Sequence, residues 1–187
     1  MLFRSGGGGP PRVSYTLENV GEITNRGWEA SANASHGPFS LTATWSSVES
    51  RVRTLAARYG GDLQPGDRML EVPRQTMSLT GRWHAGPWSA AVSAARAADW
   101  VGYDRVALAR DYASGLPLRE FVGLRLRNYW RTYAGSTRLR ASVSRALGER
   151  VAVTVAGENL LDEQRGEPDN LTVVPGRTVL VSGRVEW

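Results

Sequence analysis

The chain has no cysteine among its 187 residues, which excludes disulfide frameworks and thiolate metal sites while leaving the compartment open. It has no lysine either. All 23 basic residues are arginine, the formal net charge is +5, and the pI is about 10.2. Such a balance suits nucleic acid or an anionic surface, but the arginines are scattered rather than gathered into a run, so no nucleic-acid partner is expected. Nowhere does the chain approach the roughly 20 consecutive apolar residues that a membrane helix needs. Its mean hydropathy of −0.33 would point to a soluble protein if helices were the only way across a membrane. Transmembrane strands escape that test, because only every second residue meets lipid.

Groups suited to catalysis are scarce too. Only two histidines occur, His36 and His84, both in expected tight turns and neither beside a nucleophile. No enzyme activity and no cofactor are expected. A metal between those two turns, or calcium on Asp162 with Glu163 or on Glu167 with Asp169, can be drawn, but solvated turn and loop side chains account for all of them without a ligand. No signal peptide is visible: Met1-Leu2-Phe3-Arg4-Ser5 runs directly into Gly6 to Gly9 and Pro10-Pro11. Residues 1–12 are expected to be a flexible segment, since a phosphate-cradling loop would need a lysine and a following helical pattern.

What the chain does have is tryptophan and alternation. It carries 7 Trp, 6 Tyr and 3 Phe, so tryptophan is its commonest aromatic. Val151, Val153 and Val155 share one face of an expected strand. Val179, Val181, Val185 and Trp187 share one face of the last, opposite Thr178, Ser182, Arg184 and Glu186. A strand's side chains point to alternate faces, so this is a ribbon apolar on one side and polar on the other. Earlier, Trp28, Ala30, Ala32 and Ala34 alternate with Glu29, Ser31 and Asn33, and Phe39, Leu41, Ala43 and Trp45 alternate with hydroxyls. Met77, Leu79, Gly81 and Trp83 lead through another tight turn to Trp88, Ala90, Val92 and Ala94; only Ala90–Ala98 also fits a weak helical period. A further strand from about Tyr129 carries Tyr133, Leu139, Ala141 and Val143 on one side.

Tight turns near His36, His84 and Leu147 alternate with long loops at Thr54–Val72, Asp104–Asn128 and Asp162–Val174. About seven long antiparallel strands joined short, long, short, long are the layout of a transmembrane β-barrel, with tight turns on one side of the membrane and long loops on the other. Trp83, Trp88, Trp187 and Phe39 sit beside the short turns, where an aromatic girdle would meet the interface. Alternation alone also fits a soluble basic β-domain that binds polysaccharide or nucleic acid, and a small porin or autotransporter-type barrel.

Two motifs narrow the choice. Asn159-Leu160-Leu161-Asp162, a loop, and Pro175-Gly176-Arg177-Thr178 before a final strand ending in an aromatic resemble the C-terminus of TonB-dependent outer-membrane receptors. Asn19-Val20-Gly21-Glu22 followed by Arg26-Gly27-Trp28-Glu29 resembles another recurring piece of that barrel. The similarity spans residues 15 to 187. Locally, a proline lacks a donor and suits a strand start, while Asn159 and Asp162 are good at closing a strand by bonding nearby backbone.

The resemblance implies an all-β chain: a C-terminal portion, residues 13–187, of an antiparallel transmembrane barrel in the bacterial outer membrane. Family members are ligand-gated importers of scarce nutrients such as ferric siderophores, cobalamin, haem or saccharides, with barrels of about 22 strands around a plugged lumen. Plug and TonB-binding segment lie N-terminal to the barrel, so contact with the TonB complex would come only through a part missing here. A membrane barrel with about seven strands and no export signal is expected to be a fragment or to carry a misassigned start, and not to transport alone. Trp187 resembles the terminal signal read by the barrel-assembly machinery, where phenylalanine is usual. Arg82, Arg138, Arg140 and Arg184 would face the lumen, and Tyr103, Tyr112 and Arg119 would lie on ligand-contacting loops.

Overall fold

Turn chemistry sets the topology. The connections Gly37-Pro38 and Gly86-Pro87 each place a glycine with positive φ (55° and 54°) before a proline. Proline locks φ negative, so of the two favoured hairpin turns only the one needing positive φ at its first central residue remains. The computed structural model describes residues 21–164 and 174–187. The 1–12 segment, Asn19-Val20 and the Glu167/Asp169 pair lie outside the described residues.

The strands are β1 (Gly21–His36), β2 (Phe39–Leu55), β3 (Gln75–Ala85), β4 (Trp88–Ala98), β5 (Trp100–Tyr103), β6 (Trp130–Tyr133), β7 (Ser136–Ala146), β8 (Val151–Glu158) and β9 (Thr178–Val185). A nine-residue helix, α1 (Arg105–Ala113), and two 3-10 segments (Leu118–Phe121, Gly123–Tyr129) stand between β5 and β6. β1-β2-β3-β4-β7-β8-β9 form one seven-stranded antiparallel sheet, and β5-β6 a separate ribbon. The fold is all-β, as expected, and the short-long connection rhythm holds throughout. The described sheet is not closed; β1 and β9 are its edges.

Register sorts the side chains into two surfaces. Ala34, Leu41, Gly81, Val92 and Ala141 form one cross-strand row, and Phe39, Trp83, Ala90, Val143, Val155 and Val181 form the next. The other surface is hydroxylated: Thr44 meets Ser78 at 2.7 Å, Ser46 meets Thr76 at 3.0 Å, Thr80 meets Ser93 at 3.0 Å, and Ser144 meets Thr154 at 2.6 Å. Among the described residues no second layer covers the apolar surface, and Trp28 is 78% and Val181 71% exposed. The buried apolar residues instead lie at the long-loop end: Val52, Leu63, Ala98, Trp100 and Tyr129.

Ala90–Ala98 is strand, as its alternation suggested and against its weak helical period, because both its neighbours offer complete backbone ladders. Two expectations change. The Asp104–Asn128 stretch is no plain loop; it holds α1, whose first turn is capped by Asp104 Oδ1 accepting from the Ala107 N–H at 2.9 Å. α1 buries no residue, so no apolar stripe marks it in the sequence. The single strand expected from Tyr129 is divided at Gly135, whose φ is 125° and where a Cβ would lie 2.6 Å from the Ala97 carbonyl oxygen.

Candidate functional site

The expected motif residues at the β8–β9 connection come together as a clip. Asn159, buried and at φ 48°, donates from Nδ2 to the Pro175 and Glu163 carbonyls at 2.9 and 3.0 Å and accepts the Glu163 N–H at 3.0 Å. Asp162, at φ 53°, accepts the backbone N–H of Arg177 at 2.9 Å, which holds its carboxyl below the usual carboxylate range. Gly176 passes so close that a Cβ would stand 2.9 Å from Asp162 Oδ1. Leu160 donates its N–H to the Leu139 carbonyl at 2.9 Å and lies over Gly157. The Asn-Leu-Leu-Asp and Pro-Gly-Arg pieces thus fasten the two ends of one long loop to each other.

The other motif is spread along β1. Gly27 faces Val48, and a Cβ there would collide with the Ser47 carbonyl oxygen. Glu29 pairs with Ser46 on the hydroxylated surface. Arg82, Arg138, Arg140 and Arg184 stand on that surface opposite Ser40, Ala95, Ser93 and Ala152 respectively. Arg140 pairs with Glu158 at 2.6 Å, and Arg184 with Glu186. Trp187 lies past the last ladder pair, fully exposed. His36 pairs with Phe39 in an apolar row and His84 with Ser89 in a hydroxylated one, so the two histidines point to opposite surfaces and no site joins them. Among the described residues no three acidic, histidine or cysteine side chains cluster as metal ligands.

What sequence did not disclose is a cap at the long-loop end. Its hub is Asp62, 4% exposed, which accepts the Tyr103 hydroxyl at 2.6 Å and the Trp130 indole N–H at 2.7 Å. Arg127 donates to the Asp62 carbonyl at 2.9 Å, forks onto the Asp67 carboxylate, and stacks its guanidinium 4.2 Å from the Trp130 ring centre. The Arg127 hydrogen bonds hold the Asp67 carboxyl below its ordinary range. Burial first, then Asp62, pushes the Tyr103 phenol well above its own. Arg68 bonds Asp99 at 2.9 Å and Arg105 bonds Glu71 at 2.8 Å, tying the β2–β3 loop to the β4–β5 junction and to the start of α1. Of the expected contact residues, Tyr103 is therefore internal to the cap. Tyr112 packs edge-on against Phe121 at 5.6 Å, and Arg119 pairs with Glu120 at 3.4 Å.

Beneath the cap, on the hydroxylated surface, a cavity of about 330 Å³ is lined by Thr44, Ser78, Trp100, Ser136 and Arg138. Trp100 Nε1 and Ser136 Oγ are buried there without a partner among the described residues. Such groups are costly unless an occupant satisfies them. The α1 and 3-10 region exposes Tyr112, Leu118, Val122 and Leu124 beside Arg119 and Arg125.

Compared with known proteins, residues 2–160 match a family model described as TonB dependent receptor-like, beta-barrel. No curated protein matches the chain.

Proposed function

The chain belongs to the TonB-dependent receptor family, whose β-barrel it matches, and we propose that it forms one arc of an outer-membrane barrel that imports a scarce nutrient. The observation that carries this proposal is the sheet: seven antiparallel strands present one continuous exposed apolar surface and one hydroxylated surface. An apolar surface of that extent needs lipid or a second layer against it, and a soluble sandwich would supply the layer. The edges of β1 and β9 support an arc completed by further strands, since each unpaired backbone group in hydrocarbon costs several kcal/mol.

In this account the hydroxylated surface is the lumen wall. Arg82, Arg138, Arg140 and Arg184 line it and meet plug carboxylates or an anionic cargo. The exposed Tyr112, Leu118 and Arg119 region meets the cargo first, and the cavity beneath Trp100 receives it next. The cargo is a ferric siderophore, cobalamin, haem or saccharide. Plug, TonB contact and remaining strands come from elsewhere in the receptor, so the arc does not transport alone. Trp187 serves the barrel-assembly machinery.

The test is nutrient-limited growth with each of the four cargo classes, in cells with the receptor gene deleted and in cells lacking TonB. Loss of growth on the same class in both strains supports import. Growth unaffected by the receptor deletion on all four classes counts against it.

A further inference from the structure

The apolar surface carries a notch that neither the loop cap nor the lumen wall uses. Gly81 stands in the middle of β3 between Leu41 and Val92. Its φ is not positive, and a Cβ built on it would meet only Leu41 Cδ1, at 4.0 Å. Neither backbone conformation nor crowding requires glycine here, so the missing side chain is itself the feature. It opens a groove of about 470 Å³, walled by Phe39, Leu41, Trp83, Ala90 and Val92 and almost wholly apolar. That volume falls within the roughly 300–1,000 Å³ range of small-molecule sites.

A second feature lies nearby. Arg145 is on the apolar surface, paired across strands with Trp88, and its guanidinium sits 5.0 Å from the centre of that ring. An arginine facing hydrocarbon is expensive, whereas one beside an interfacial tryptophan reaches the headgroup layer. No carboxylate pairs with it among the described residues. Trp88 is four residues from Val92, which is about 13 Å along the strand. The groove therefore begins where a chain would enter the hydrocarbon below a phosphate held at Arg145. At the other margin Arg96, opposite Met77, bonds Thr137 at 2.8 Å. Trp88 to Arg96 spans about 26 Å along the strand, of the order of the roughly 25 Å apolar band of outer-membrane barrels.

We propose that the Gly81 groove seats one acyl chain of an anionic phospholipid whose phosphate is held by Arg145; this rests on the apolar surface meeting lipid. A positive group at the interface with an apolar groove running inward from it matches the two ends of such a lipid. A guanidinium stacked on indole keeps its N–H edge free for phosphate oxygens.

The test is native mass spectrometry of the full receptor in mild detergent, with 1-palmitoyl-2-oleoyl phosphatidylglycerol or the matching phosphatidylcholine added as probe. Wild type should retain one phosphatidylglycerol in preference to phosphatidylcholine. Gly81→Leu, which fills the groove, should lose it. Arg145→Gln, which leaves the wall intact, should keep a lipid while its preference for phosphatidylglycerol falls about fivefold. Gly183→Leu is the control: it faces Val153 on the same surface, with nothing within 4 Å of a Cβ, and should behave as wild type. Equal retention of both lipids by wild type, undiminished retention by Gly81→Leu, or loss of a second polypeptide instead of a lipid would overturn the proposal. Wild-type receptor whose gel migration is not heat-modifiable would overturn the barrel account itself, and the groove with it, so the two failures are told apart.

Discussion

The carboxylate of Asp162 accepts the backbone N–H of Arg177 at 2.9 Å, across the β8–β9 loop. With Asn159 holding the Pro175 carbonyl at 2.9 Å, it fixes where the last strand begins. Strand register decides which surface every side chain faces, so this clip governs the orientation of Val179, Val181 and Val185.

Asn159→Ala removes three hydrogen bonds from a buried side chain to the Glu163 and Pro175 backbone and puts alanine at a φ that asparagine tolerates better. The expected loss is about 1–3 kcal/mol of barrel stability, read from thermal unfolding of the full receptor in detergent. Asp162→Ala should leave the barrel assembled but accelerate hydrogen exchange at the Arg177 amide. Because Asp162 has a lowered pKa, that protection is present above the ordinary carboxylate value of about 3.9 and is lost as pH falls through the lower folded value.

Asp62→Ala removes the one acceptor shared by Tyr103 and Trp130. Each part-buried donor left unpaired costs at most about 3 kcal/mol, and the loss should fall on the cap alone. Hydrogen exchange is expected to rise across residues 100–133 while the β7–β8–β9 ladder keeps its protection. Uniform loss of protection in both regions would mean the cap is not a separate unit.

The Arg127–Asp67 fork supplies a second pH dependence. Its contribution is complete above the ordinary Asp range and disappears as pH falls through the depressed folded value, so the cap should loosen in acid below about pH 4. Trp130 fluorescence, followed by pH titration, should shift in that window for wild type. In Arg127→Gln the midpoint should move toward the ordinary carboxylate value.

Much of the sheet was legible because β-structure has period two and its turns have demanding chemistry. Gly37-Pro38 and Gly86-Pro87 fixed two hairpins, and parity placed Arg82, Arg138, Arg140 and Arg184 on the hydroxylated surface. The cap was not legible, since its partners are distant in sequence: 41 residues separate Asp62 from Tyr103, and 68 separate it from Trp130. Parity cannot tell an exposed tryptophan from one roofed by a loop, yet Trp28 is 78% exposed and Trp100 2%. α1 escaped because a helix that buries nothing leaves no periodic trace. The pairing of Arg140 with Glu158 also depends on register, which neither residue announces by itself.

In the proposed barrel one surface of the sheet meets lipid and the other a lumen. Val181 and Ser182 are consecutive in β9, paired with Val155 and Thr154, and so report on the two surfaces from a single strand. The decisive measurement is unfolding free energy and heat-modifiable assembly of full receptor carrying Val181→Arg or Ser182→Arg. Val181→Arg should lose about 2–4 kcal/mol near the bilayer midplane, while Ser182→Arg should assemble as wild type. Equal tolerance of both, or greater damage from Ser182→Arg, would contradict the assignment.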